Sequence, residues 1–155
     1  MINTRRALLI AHMAAQAATI SNVGLVVDAA SPDVQQIAAQ LKLGKVVLEM
    51  ATSDDEWMET APIGKEQFKF MVFFTALFPA LGADETGSDL AAGMHGELYV
   101  KLAGSESVWT QGDYALSTSP RGGGAAGTDP QFECVQGFSM FEVEYRHKVG
   151  DPTMG

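Results

Sequence analysis

Cys134 is the one thiol of this 155-residue chain, and His12, His95 and His147 are its imidazoles. A cysteine nucleophile needs a base beside it, and a zinc site needs Cys and His at short fixed spacings. Neither pattern is present. The histidines are far apart in sequence, and His12 and His95 fall in helical patterns with no second ligand four residues on. Cys134 therefore reads as a small buried hydrophobe and each histidine as a partly buried or surface residue. The acidic run Asp54, Asp55, Glu56 and Glu59 lacks the spaced ligands and central glycine of a calcium loop, so it reads as solvated. SPRGGGAAGTDP, from Ser119, has the glycines of a phosphate loop without the lysine and hydroxyl that follow them there, and no helix pattern succeeds it. No catalytic, metal or cofactor residue is assigned, and no enzyme is expected.

The composition gives the frame for these side chains. With 46% hydrophobic and 19% charged residues the chain is globular, and its length suits one domain over residues 1–155. Ten basic residues against nineteen acidic give a net charge of -9, the wrong sign for neutralising phosphates, which argues against tight wrapping of nucleic acid. The start, MINTRRALLIAHMAAQAA, imitates an export signal, but His12 and Gln16 interrupt its apolar run and an amphipathic helix is expected instead. No run approaches the roughly 18 apolar residues of a membrane span, so a soluble protein without a membrane partner is expected.

Thr4 is placed to cap a first helix running to about Ala18. A short apolar stretch, VGLVVDAA, precedes a second helix with Ser31 as cap and Pro32 at its first position, ending near Gly44. KVVLEMAT, 45–52, suits a strand, and 53–63 a flexible loop. In GKEQFKFMVFFTALFP, Phe68, Phe70, Val72, Phe74 and Ala76 alternate with residues that turn apolar toward Phe73, so the second face is expected to become buried there. Thr86 and Asp89 have the form of a capping box for a third helix to about Leu102, whose Gly93 and Gly96 would allow close approach to the sheet. A weak strand is expected around SVWT or YALST, a flexible loop over 119–131, and a last strand from about Phe132 to His147. The expected class is α+β, an antiparallel or mixed sheet with helices packed on one face.

Two stretches ask for a neighbour. Trp57 and Met58 stand amid acids, the composition of a protein contact, with Trp57 folded back onto its own core as the alternative. In FSMFEVEYRHKVGDP, Phe141, Val143 and Tyr145 form the inward row, and Glu142, Glu144 and Arg146 an outward row of both signs. Lys148, Asp151 and the rest of a tail over 149–155 are left with no core to join. The N-terminal helix, the strand QFKFMVFFTALF, the helix DLAAGMHGELYVKL and the ending FEVEYRHKVGDP together resemble the tail terminator, or tail completion, proteins of long-tailed bacteriophages.

That resemblance implies a structural virion protein at the tail–neck junction, assembled in the host cytoplasm. It would form a ring of six copies on the tail tube protein, stop tube growth and present a surface to the head connector or stopper. DNA would pass through the lumen without specific binding, helped by negative charge on the inward surface. The glycine-rich stretch at 119–130 and the long 79–87 connection depart from a compact terminator. Another neck component is the nearest alternative. More distant ones are an enzyme using Cys134, and a ligand-binding domain built around Phe68, Phe70 and Phe74.

Overall fold

The computed structural model describes residues 4–59, 61–79, 86–103 and 115–153. In chain order these form α1 (Arg5–Ala17), β1 (Val23–Asp28), α2 (Val34–Lys42), β2 (Val46–Thr52), β3 (Glu56–Met58), β4 (Lys65–Phe78), α3 (Gly87–Leu102), β5 (Ser117–Asp129) and β6 (Cys134–Lys148). The class is α+β, and the strands make one mixed sheet in the order β1-β2-β4-β6-β5, with β3 paired to β4. β1 and β2 are parallel and the other pairs antiparallel.

Local chemistry accounts for the helix starts. The Thr4 hydroxyl accepts from the Ala7 amide and that of Thr86 from the Asp89 amide, each satisfying a donor left over in the first turn. For α2 the cap is Asp33 rather than Ser31: its carboxylate accepts from the Gln36 amide at 3.1 Å, and Pro32 lies outside the helix.

The core divides across the sheet. On one face Leu9 and Met13 of α1 and Met94, Leu98 and Leu102 of α3 cover Leu48, Phe70, Val72, Phe74, Phe141 and Val143. On the other, Ile37 of α2 packs on Val47, Leu77 and Cys134. The one-sided arrangement thus holds for α1 and α3 only. Because β1 and β2 run parallel, the chain between them must cross a face of the sheet, and α2 takes the face opposite α1. Val46, Val47 and Leu48 are all buried, as expected of a strand covered on both sides.

Other segments depart from their expected form. The stretch VGLVVDAA contains the edge strand β1. Within 53–63 lies β3, which lines up beside β4 with Trp57 opposite Phe68. The loop expected over 119–131 is mostly β5, paired with β6 from Ser117 opposite Glu144 to Asp129 opposite Cys134, with irregularities near Arg121 and Ala126. Of the weak strand, SVWT and Tyr114 lie outside the described residues, and Ser117 and Thr118 of YALST open β5. The tail is tied down through residue 153: Val149 donates to the Gly64 carbonyl, Lys148 bridges Asp151, and the Pro152 carbonyl accepts the Arg5 amide at 2.9 Å.

Glycine explains how α3 sits so close. A Cβ on Gly137 would stand 2.8 Å from the Ala91 Cβ, and one on Gly123 2.8 Å from His95 Nδ1. The close approach therefore comes from the sheet's glycines, whereas a Cβ on Gly93 or Gly96 of the helix would meet nothing within 4 Å. Gly93→Ala and Gly96→Ala are each expected to stabilise the fold by about 1 kcal/mol through lower backbone entropy in the unfolded chain. Urea unfolding measures this, and a loss of stability in either variant would refute an open helix face.

Candidate functional site

Strand alternation sends Glu142, Glu144, Arg146 and Lys148 of β6 to the outer face, opposite Met71, Lys69, Gln67 and Lys65 of β4. Phe141, Val143 and Tyr145 are buried on the inner face, as the alternation requires. On the outer face Arg121 reaches Glu142 at 2.7 Å and Lys69 reaches Glu56 at 3.5 Å. The Gln67 amide nitrogen lies 3.6 Å from the Met58 sulfur and 3.4 Å from Glu144 Oε2. Met58, Glu142, Glu144 and Arg146 are thereby brought onto one surface.

The other residues singled out in the sequence lie elsewhere. Trp57 shares the opposite side of the sheet with Phe68 and is 60% exposed, so it does not fold back onto the core. Asp151 accepts from the Thr153 amide and hydroxyl, at 3.0 and 2.6 Å, and the hydroxyl bond above all lowers its pKa. Its carboxylate is engaged in its own turn.

α2 covers only one end of the outer face. Beyond it Phe73 and Phe138 are 36% and 37% exposed, with Met140 directly opposite Phe73 and Met71 two residues before it on β4. The expected burial of Phe73 does not occur, because no described element lies over it. Sequence alternation missed this patch: apolar residues on both faces read as a strand covered on both sides.

A second cluster ties α1 to the sheet. Arg6 donates to Asp55 at 2.7 Å and to the Ser53 carbonyl at 2.8 Å, with its guanidinium carbon 4.2 Å from the centre of the Phe70 ring. The Tyr145 hydroxyl donates to the other Asp55 oxygen at 2.6 Å. Burial, then the hydrogen bond to Asp55, raises the Tyr145 pKa. Asp55, read from sequence as one acid of a solvated run, is instead the joint of this network. Its four-residue neighbourhood of acids concealed it.

The groups that first suggested chemistry are enclosed. Cys134 is 6% exposed beside α2, and burial, with Asp129 nearby, pushes its thiol up to about 11, leaving it protonated at neutral pH. His95 Nδ1 lies 3.0 Å from the Ser139 hydroxyl, a spacing that suits a nucleophile and its base. Ser139 is only 3% exposed, however, and the His95 ring stacks on Phe141 at 5.7 Å, so the pair satisfies a buried hydroxyl beneath α3. A groove of about 430 Å3 between α1 and the β1–β2 edge is lined by Ile10, Ala14, Val26 and Met50, with Asp28 and Thr52 as its polar side chains. Among the described residues no group of His, Cys, Asp and Glu is arranged to hold a metal, and no helix is long and apolar enough to cross a membrane.

No protein-family model matches the sequence, and no curated protein matches it.

Proposed function

We propose that this chain is a structural, non-catalytic virion subunit: a ring-forming tail terminator that caps the tail tube and joins it to the head connector. The observation that carries this reading is the outer half of the sheet beyond α2, where Glu142, Glu144 and Arg146 stand in a row on β6 next to the exposed Phe73 and Phe138. A surface of this kind suits contact with another macromolecule better than small-molecule chemistry, which calls for a concave, water-excluding site with convergent polar groups. The resemblance of most of the chain to tail terminators supplies the assembly: six copies in a ring, the tube below, the connector or stopper above, and DNA passing through.

Native mass spectrometry of the full chain, alone and with polymerised tail tube protein, tests the reading. Rings of six at tube ends, with tubes held at fixed length, are the expected result. A monomer that neither binds tubes nor limits their growth would overturn it.

A further inference from the structure

We infer that the free edge of β1, with the groove beside it, takes up an extended segment of a basic partner protein as an added strand. β1 ends the sheet order and pairs only with β2 among the described residues. The Ala29 amide donates to the Met50 carbonyl, which fixes the alternation: Leu25 and Val27 turn their backbone groups to β2, and Val26 and Asp28 turn theirs outward. The Ser31 amide takes the Asp28 carbonyl at 3.2 Å. The Val26 amide and carbonyl and the Asp28 amide are left for a neighbouring strand, in a run of Leu25, Val26 and Val27 that is only half-buried. The two edges of the sheet differ in this respect. β5, at the other end, carries Pro120, which has no N–H to offer, and is irregular near Arg121 and Ala126, devices that keep an edge from pairing. From Leu25 to Asp28, β1 has neither.

The groove and its charge select the occupant. The space of about 430 Å3 between α1 and this edge is walled by Ala7, Ile10, Ala11 and Ala14 of the helix and by Val26 and Met50 of the sheet. Alternate residues of an added strand point into it, and aliphatic side chains are the ones that find contacts there. Asp28 is the one charged side chain lining it, with its second carboxylate oxygen free of the Ala30 amide that the first accepts. Arg6 comes within 3.2 Å of Thr52 at the groove but is already held by Asp55 at 2.7 Å. A lysine or arginine on the added strand is therefore the complement of this site. A second copy fits it poorly. Paired through its own β1, it brings another Asp28 to a groove whose one charge is already negative, on a chain of net charge -9.

The full chain, labelled for amide NMR, is titrated with an eight-residue peptide of alternating valine and serine that ends in lysine, with its glutamate-ended counterpart, and with a copy carrying proline at its centre. Solvent exchange of the Val26 and Asp28 amides should slow at least about tenfold in saturating lysine peptide. The glutamate peptide should bind about threefold more weakly, and the proline copy should not bind. Ala11→Arg, at an exposed position of α1, should weaken binding at least about tenfold by filling the groove. Asp28→Asn, which keeps an acceptor for the Ala30 amide, should abolish the preference between the two charged peptides. Circular dichroism and melting temperature establish that each variant is folded. A lysine peptide that does not bind, that leaves Val26 exchange unchanged, or that binds folded Ala11→Arg as well as the wild type would overturn the added strand. Equal binding of the two charged peptides by the wild type would overturn the basic partner. A Val26 amide protected in a concentration-dependent oligomer without peptide would give the edge to a second copy and also overturn the inference. The ring reading rests on the opposite face of the sheet, so it stands if this edge fails, and a chain that ignores tail tubes leaves the edge proposal intact.

Discussion

Gly137→Val is expected to cost about 3 kcal/mol of folding stability, the upper part of the range for overpacking a closed core. Ala91 of α3 rests on the bare backbone of β6, where the nearest atoms to an added Cβ would be the Ala91 Cβ at 2.8 Å, Phe78 Cε2 at 3.1 Å and the Ala91 Cα at 3.2 Å. Two of these belong to a helix that cannot yield without lifting Met94 and Leu98, both buried, off the sheet. For a chain of this size the loss corresponds to a fall of about 6–12 °C in melting temperature. Gly124 is the control. A Cβ there would stand 3.5 Å from the Phe138 ring, an ordinary contact, so Gly124→Ala should melt close to the wild type. Equal melting of the two variants would show that α3 does not lean on Gly137.

The second large effect belongs to Asp55. Asp55→Ala removes the acceptor of the Tyr145 hydroxyl, which lies on a residue only 3% exposed, and one of the partners of Arg6. An orphaned buried hydroxyl together with a weakened ion pair should cost about 2–3 kcal/mol, discounted because the Arg6 and Asp55 side chains are 24% and 28% exposed. Tyr145→Phe should cost about 1 kcal/mol, and the double variant less than the sum, since both changes break the same bond. The network also leaves a mark on pH dependence. The folded state raises the Tyr145 pKa above that of an unfolded tyrosine, about 10, so it holds the phenolic proton more tightly. That contribution is complete below about pH 10 and is lost as pH rises from there toward the folded value. Denaturant unfolding between pH 9 and 11.5 should show wild-type stability falling faster than that of Tyr145→Phe. Parallel curves would rule out the coupling.

The sequence was most readable where a single local rule decides the outcome. Thr4 and Thr86 announce their helices through side-chain oxygens, and the alternation in β4 and β6 assigns Phe70, Val72, Phe141 and Val143 inward. β5 was hidden because SPRGGGAAGTD has almost no strand propensity. Its strand form comes from the backbone of β6 on one side and from α3, which needs Gly123 to be bare. β1 was hidden for the opposite reason: VGLVVD is apolar without alternation, and only its pairing with β2 distinguishes it from any buried stretch. In the candidate site, the row Glu142, Glu144 and Arg146 follows from alternation alone. Phe73 and Phe138 do not, because which apolar face is left open depends on how far α2 reaches, and that is a property of the tertiary fold.

The bond from the Arg5 amide to the Pro152 carbonyl bears on the order in which a nascent chain can fold. α1 receives this partner from a residue translated long after it. The same holds for the sheet: β6, synthesised last of the strands, lies between β4 and β5. Until it emerges, β4 has a bare edge, β5 has no hydrogen-bonding neighbour, and Tyr145 is not there to meet Asp55. Contacts of such long sequence separation form slowly and leave strand edges exposed meanwhile. The β1–α2–β2–β4 part can gather during translation, but the sheet closes only once β6 has emerged, and a product truncated before Cys134 lacks the strand that joins its two halves.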